Sequence, residues 1–206
     1  MSVKHELRFG VTMQWSPCAQ GSIQSINQSI NLSMGSECVT TDFPKEETLS
    51  DTDALYLRQA IRHSHTARER GNRPFGALIV SKSGETLVEF YNQTKEALDC
   101  TAHAETGAIR IASLAHSRAV LMESTLYASG EPCVMCSGAI FLSGIRRVVY
   151  ALDAVRMRQM RGLKEEYRDL AWSIKEIYQS SPHPIECIGP ALIDEASEAH
   201  QGFWQP

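Results

Sequence analysis

Apolar residues change their period several times along this chain, and each change predicts a new element. From Asp51-Thr52-Asp53, which can cap a helix, Leu57, Ala60, Ile61, Ser64 and Ala67 fall on one face, and Gly71 closes the run. Gly76-Ala77-Leu78-Ile79-Val80 reads as a strand, Ser83-Gly84 as a turn, and Thr86 to Tyr91 as its hairpin partner. A helical period returns from His103 to Ala115, carried by Ala104, Ala108, Ile111 and Ala115. Ser124 to Ser129 predicts a third strand, Cys133 to Ser143 a helix stopped by Gly144, and Arg147 to Ala151 a fourth strand. The remaining pattern predicts a helix over 153–161, a helical stretch near 165–178, a short strand at 185–188 and a last helix near 190–199.

Helices alternating with strands in this order predict an α/β fold, a three-layer sandwich with a mixed central sheet flanked by helices. Residues 1–50 break the pattern. They are rich in Ser, Gln, Asn and Thr, and the alternation of Ile23, Ile26 and Ile30 is diluted by Ser and Asn. A disordered N-terminal extension is expected over 1–50 and a folded domain over 51–206. In the extension Lys4, Arg8 and Lys45 are outnumbered by Glu6, Glu37, Asp42, Glu46 and Glu47, the wrong balance for an organellar transit peptide. No basic start followed by an apolar stretch is visible, so no secretory signal is expected, and Met13 and Met34 stay open as alternative starts.

Composition adds bounds. The chain has 206 residues, 43% hydrophobic and 21% charged, enough for one domain with a real core. No run of 18 apolar residues exists, so no membrane span is expected. The six cysteines (18, 38, 100, 133, 136 and 187) are scattered, which suits a reducing, cytoplasmic compartment. A net charge of −4 argues against a protein built mainly to grip phosphate backbones. Arg156, Arg158, Arg161, Lys164 and Arg168 are interleaved with Asp153, Glu165, Glu166 and Asp169, so a solvated helix face is the default there.

Candidate chemistry concentrates in two short segments. His103-Ala104-Glu105 is followed 30 positions later by Pro132-Cys133-Val134-Met135-Cys136. One imidazole and two thiolates make three tetrahedral zinc ligands and leave a fourth position for water, the count of a catalytic site. If both segments open helices, Cys133 and Cys136 share one face, and the positive helix end favours their thiolate forms. Glu105 is close enough to move protons at such a metal. Two plainer readings compete: a redox pair, and a structural zinc knuckle with Cys100 as fourth ligand. The first lacks a thioredoxin-like context, and the second leaves Glu105 and Pro132 without a role.

The spacing H-x-E…P-C-x-x-C is the signature of zinc-dependent base deaminases. Residues 53–160 resemble the cytidine deaminase superfamily, in particular its nucleobase, nucleoside and tRNA adenosine deaminase branch. The resemblance is carried by Arg73-Pro74-Phe75-Gly76-Ala77-Leu78-Ile79-Val80, Asn92, Thr101-Ala102-His103-Ala104-Glu105 and Gly130-Glu131-Pro132-Cys133-Val134-Met135-Cys136-Ser137-Gly138-Ala139-Ile140. It implies that His103, Cys133 and Cys136 bind Zn2+ and that Glu105 shuttles protons. It places Asn92 on the substrate base or sugar and Phe75 against the ring. The Gly76-Ala77 backbone, Ala104 and the Glu131 carbonyl would line the pocket. It also implies a homodimer in which a helix or tail of one subunit closes the neighbour's site. On that basis Phe203 and Trp204 are expected at the site mouth, with docking for stability alone as the competitor. For Asn92 a turn role, and for Phe75 a core role, stay open.

The implied activity is hydrolytic release of ammonia from a free nucleobase or nucleoside of guanine or cytosine type. Deamination of tRNA adenosine to inosine is the alternative, and a zinc-binding homologue without turnover is the non-enzymatic one. Two departures bear on substrate. A Gly-Phe-Asp-Asp motif that similar guanine deaminases carry is replaced by the run Asp153 to Met160, and Gly130 stands where relatives often have a larger residue.

Overall fold

A computed structural model of the chain describes residues 43–162 and 170–204. The expected disorder of 1–42, and the part of the predicted 165–178 helix up to 169, lie outside the described residues. In chain order the elements are α1 (Asp51–Glu69), β1 (Gly76–Val80), β2 (Thr86–Tyr91), α2 (Ala104–Ala115), α3 (Arg118–Met122) and β3 (Thr125–Gly130). They continue with α4 (Val134–Ser143), β4 (Arg147–Leu152), α5 (Ala154–Arg161), α6 (Ile174–Gln179), β5 (Glu186–Ile188) and α7 (Ile193–Glu198). No described helix is long and apolar enough to cross a membrane.

The five strands form one sheet in the order β2-β1-β3-β4-β5. β1 pairs antiparallel with β2 and β3, whereas β4 runs parallel to both β3 and β5, so the sheet is mixed. Alternating residues of each strand feed two cores. Ala77, Ile79, Leu126, Ala128, Val148 and Tyr150 face α2, α3, α4 and α6. Leu78, Val80, Tyr127, Val149 and Ala151 face α1, α5 and α7. This is the three-layer α/β sandwich. Because both faces are covered, the central strands read as continuous apolar runs.

Several boundaries depart from the sequence reading for local reasons. Ser50, not the Asp51–Asp53 run, caps α1, its hydroxyl accepting from the Asp53 N–H at 3.1 Å. Within the described part of the predicted 165–178 helix, residues 170–172 are not helical and α6 opens at Ile174, behind a capping box formed by Ser173 and Glu176. α7 opens at Ile193 because Leu192 takes a left-handed φ of 53° ahead of it. The five-residue α3 was too short to give a period and was not foreseen.

Asp53 is instead part of a buried network joining the layers. It accepts from the Tyr127 hydroxyl at 2.8 Å and receives both Arg147 terminal nitrogens at 2.8 and 2.9 Å. The Arg147 guanidinium holds its carboxyl down at about 2, against an ordinary value of 3.8. A depressed native pKa gives stability that is complete above the unfolded value and disappears as pH falls from about 4 to about 2. Asp53→Asn is therefore expected to cost about 2 kcal/mol at pH 7 and to flatten this acid limb. Urea melts at pH 7 and pH 3 check it, and equal pH dependence in both proteins would refute the assignment.

Residues 43–50, which the sequence reading gave to the extension, lie across the last three helices. The Glu47 N–H donates to the Pro190 carbonyl at 2.7 Å, its carboxylate pairs with Lys175 at 2.6 Å, and the Arg156 guanidinium stands 4.6 Å from the Phe43 ring centre. We propose that the dispensable extension ends at 42. Deleting 1–42 should leave the Tm unchanged, whereas deleting 1–49 should cost about 2 kcal/mol and lower the Tm by about 4–8 °C. Equal Tm values for the two truncations would place the boundary at 50 after all.

Candidate metal centre and active site

The site forms where β3 and β4 end and antiparallel β1 begins, the edge at which open α/β sheets bind ligands. Phe75 precedes β1 and Asn92 follows β2, joined by a bond from the Asn92 N–H to the Phe75 carbonyl at 2.9 Å. Glu131, Pro132 and Cys133 follow β3, and Ala154 and Met157 follow β4. These residues line one cavity of about 350 Å³, together with His103, Glu105, Arg73, Arg161, Leu170 and Trp172. Its volume suits a single base.

His103 is the N-cap of α2 and Cys133 the N-cap of α4, so Pro132 sits just outside the helix rather than in its first turn. Helices α2 and α4 pack together and bring three ligand atoms into a triangle. Cys133 Sγ is 3.6 Å from Cys136 Sγ and 3.7 Å from His103 Nδ1, and Cys136 Sγ is 3.6 Å from the same nitrogen. Tetrahedral zinc with bonds of about 2.3 Å to sulfur and about 2.0–2.1 Å to nitrogen demands S···S of about 3.8 Å and S···N of about 3.6 Å. The triangle fits. Cys100 lines the cavity but is not one of the three grouped ligand residues.

The ligand groups and Glu105 are electrostatically coupled. The Cys136 thiol and His103 bring the Cys133 thiol down to about 4, while Cys136, facing that thiolate and fully buried, is pushed well up. Burial opposes charge on His103, yet the Cys133 thiolate and Glu105 carboxylate hold its imidazole above the ordinary range. Glu105 is 6% exposed. Burial raises its pKa and the Cys133 thiolate adds to the rise, while His103 opposes it.

Asn92 has an unusual hydrogen-bond pattern. Its side-chain oxygen accepts from the Thr94 N–H at 3.1 Å and the Thr94 hydroxyl at 2.9 Å, while its amide nitrogen is buried with no partner. The following loop is held by Asn72, whose side-chain oxygen accepts from the Lys95 and Glu96 N–H groups at 3.0 and 3.2 Å. With its oxygen occupied, Asn92 can offer a ligand only a donor.

Other expected substrate residues are placed elsewhere. Gly76 packs on α1, where a Cβ would come within 2.3 Å of the Ala60 carbonyl, and its N–H donates to Ser129. Ala77 and Ala104 are core residues. Trp204 is buried behind Phe75, with ring centres 6.4 Å apart, and its indole N–H donates to His200 Nδ1 at 3.2 Å. Burial holds His200 down at about 4, so it is neutral at physiological pH. Phe203 packs edge-on against Trp204. The rim comes instead from Leu170 and Trp172, 64% and 61% exposed, in a stretch whose sequence predicted only helix. A Cβ on Gly130 would lie 3.1 Å from both Met157 Sδ and Phe75 Cε1, so this glycine lets the two walls converge.

Comparison with known proteins agrees with this geometry. The cytidine and deoxycytidylate deaminase zinc-binding region matches residues 50–152. A probable cytosine deaminase of Schizosaccharomyces pombe is 40% identical over 156 residues, which cover 76% of this chain and 94% of that protein. A tRNA-specific adenosine deaminase of Aquifex aeolicus is 42% identical over 48% of this chain and 65% of its own length. The guanine deaminase of Nitrosomonas europaea shares the fold, with a TM-score of 0.60 at 22% identity over 77% of this chain and 87% of its own. A ligand triangle of zinc dimensions, a buried carboxyl beside it and a base-sized cavity thus meet in one matched region, and the chain belongs to the cytidine and deoxycytidylate deaminase family of zinc hydrolases acting on C–N bonds.

Proposed function

We propose that this enzyme deaminates a free pyrimidine base of cytosine type, releasing ammonia and leaving a carbonyl. The observation that carries the reading is the unpartnered amide nitrogen of Asn92 in the cavity that also holds Glu105 and the ligand residues. Cytosine carries a carbonyl acceptor beside the ring nitrogen that must take a proton, so Asn92 can hold the base while Glu105 serves that nitrogen. Zinc held by His103, Cys133 and Cys136 supplies a Lewis acid that makes water acidic near neutral pH. Glu105 would take one proton from water and place it on the ring nitrogen, then take the second from the hydroxyl now on the attacked carbon and give it to the departing amine. Arg73, Phe75 and Met157 close the base in. Similarity to the Schizosaccharomyces pombe protein over nearly its whole length supports cytosine over guanine, for which only the fold is shared.

A second reading, tRNA adenosine deamination, is favoured by the exposed Trp172 at the rim, which could stack a flanking base. Ammonia release from cytosine, cytidine, guanine, guanosine and tRNA, at two salt concentrations, decides between them. Turnover of cytosine is expected; inosine formed in tRNA with salt-sensitive binding and no turnover of free bases would replace the reading. A homodimer belongs to the proposal. The outer face of α4 exposes Met135, Phe141 and Leu142 beside Gly138, where a Cβ would meet nothing within 4 Å, a surface suited to close approach by another helix. A cytoplasmic location suits a site built from thiolates.

Asn92→Ala should lower kcat/KM about 100-fold, mainly through KM. Asn92→Asp keeps the bonds from Thr94 but turns the donor into an acceptor, and should lose more. An Asp variant with near-native KM would remove Asn92 from the substrate.

A further inference from the structure

Glu131 lies two residues before Cys133 and is 8% exposed. Its Oε2 accepts the Ala154 N–H at 2.8 Å, and its Oε1 accepts the Ile174 N–H at 2.9 Å. Ala154 is the first residue of α5 and Ile174 the first of α6, so one carboxylate binds the leading amides of two helices. Helix-leading amides have no partner within their own helix. The N-cap side chains do not supply one here, because Asp153 accepts from the Arg156 N–H and Ser173 from the Glu176 N–H. At its other end Glu131 is tied to the sheet, its own N–H donating to the Leu152 carbonyl at 2.8 Å.

The two clamped segments line the same cavity as His103 and Cys133. Met157 and Arg161 come from α5, and Leu170 and Trp172 come from the chain just ahead of α6. We propose that Glu131 is a positioning residue that fixes these cavity-lining segments relative to the metal-binding turn. Substrate affinity, rather than the proton transfers of Glu105, then depends on its carboxylate. Only a carboxylate of this length serves. Gln would turn an NH2 group toward one of the two N–H donors, and Asp is one methylene too short to span both helices.

The kinetic arm of the test rests on the deaminase reading, while the exchange arm does not. In Glu131→Gln the Ala154 and Ile174 amides should exchange with solvent about tenfold faster, both together, with the first turns of α2 and α4 unchanged. KM for whichever base the unaltered enzyme turns over should rise about tenfold, with kcat within about threefold and about one zinc per chain retained. Glu131→Asp keeps the charge and leaves residue 154 unchanged, but it reaches only one of the two amides. That variant should expose one helix start to exchange and raise KM, and it decides the question if Glu131→Gln fails to fold. In Glu131→Gln, faster exchange at one helix or neither, a fall in kcat at constant KM, or loss of zinc would overturn the proposal. If the unaltered enzyme turns over no base, the function reading fails and the exchange result still judges the clamp.

Discussion

Glu105→Gln should reduce ammonia release by about 1000-fold or more, to the level of the reagent blank, while zinc content and Tm stay close to those of the unaltered protein. The size of the loss follows from how often the carboxyl is used. It moves one water proton to the ring nitrogen and then moves the second, from the hydroxyl now on the attacked carbon, to the leaving amine, and each general acid or base contribution is typically worth 10²–10⁴-fold. Tm should change little, because Gln keeps the shape of the side chain and Glu105 is not one of the grouped ligand residues. Zinc should persist because the ligand triangle is made by His103, Cys133 and Cys136 alone. Ammonia assays, metal analysis and thermal melts on the same preparations check all three. Appreciable turnover in the variant would remove Glu105 from the proton path.

What could be read in the sequence shares one property: it is local. The strands buried on both faces gave continuous apolar runs, and the helices facing one core gave clear periods. The ligand residues and Glu105 lie within two short segments whose spacing alone carries chemical meaning. The missed features join distant positions. Asp53 meets Arg147 and Tyr127 across 94 and 74 residues, and Glu131 meets Ala154 and Ile174 across 23 and 43. Such pairings impose no period on the intervening chain. Asn72 is similar: nothing in a residue following Gly71 shows that its side chain will hold the 95–96 backbone.

Trp172 lines the cavity and Trp204 does not, for a different physical reason. A tryptophan near a chain end was expected at the site mouth, but Trp204 has a buried acceptor in His200 and a ring neighbour in Phe75, which together cover both its polar and apolar parts. Trp172 precedes the Ser173 cap in a non-helical stretch, so no helix face carries it inward, and it remains at the rim. The helical reading of 165–178 hid this, because it treated the residues before the capping box as part of the helix.

Cys136→Ala should abolish activity and zinc binding together. The side chain is fully buried, and its sulfur stands 3.6 Å from both Cys133 Sγ and His103 Nδ1, so its loss leaves two ligands and an open side to the triangle. Metal that binds only the folded chain contributes RT ln(1 + [Zn]/Kd) to stability, about 4 kcal/mol at a thousandfold excess over Kd. The zinc-loaded enzyme should therefore melt well above Cys136→Ala, and a chelator should bring the unaltered protein down towards the variant. Cys100→Ala is the informative partner. A structural knuckle with four protein ligands needs the Cys100 thiol, whereas a catalytic site with three keeps its fourth position for water. The geometry groups three residues, so Cys100→Ala should retain about one zinc per chain and most of its activity. If zinc is lost from Cys100→Ala as it is from Cys136→Ala, the metal is enclosed by protein, and the deamination chemistry assigned to Glu105 has no open position at which to act.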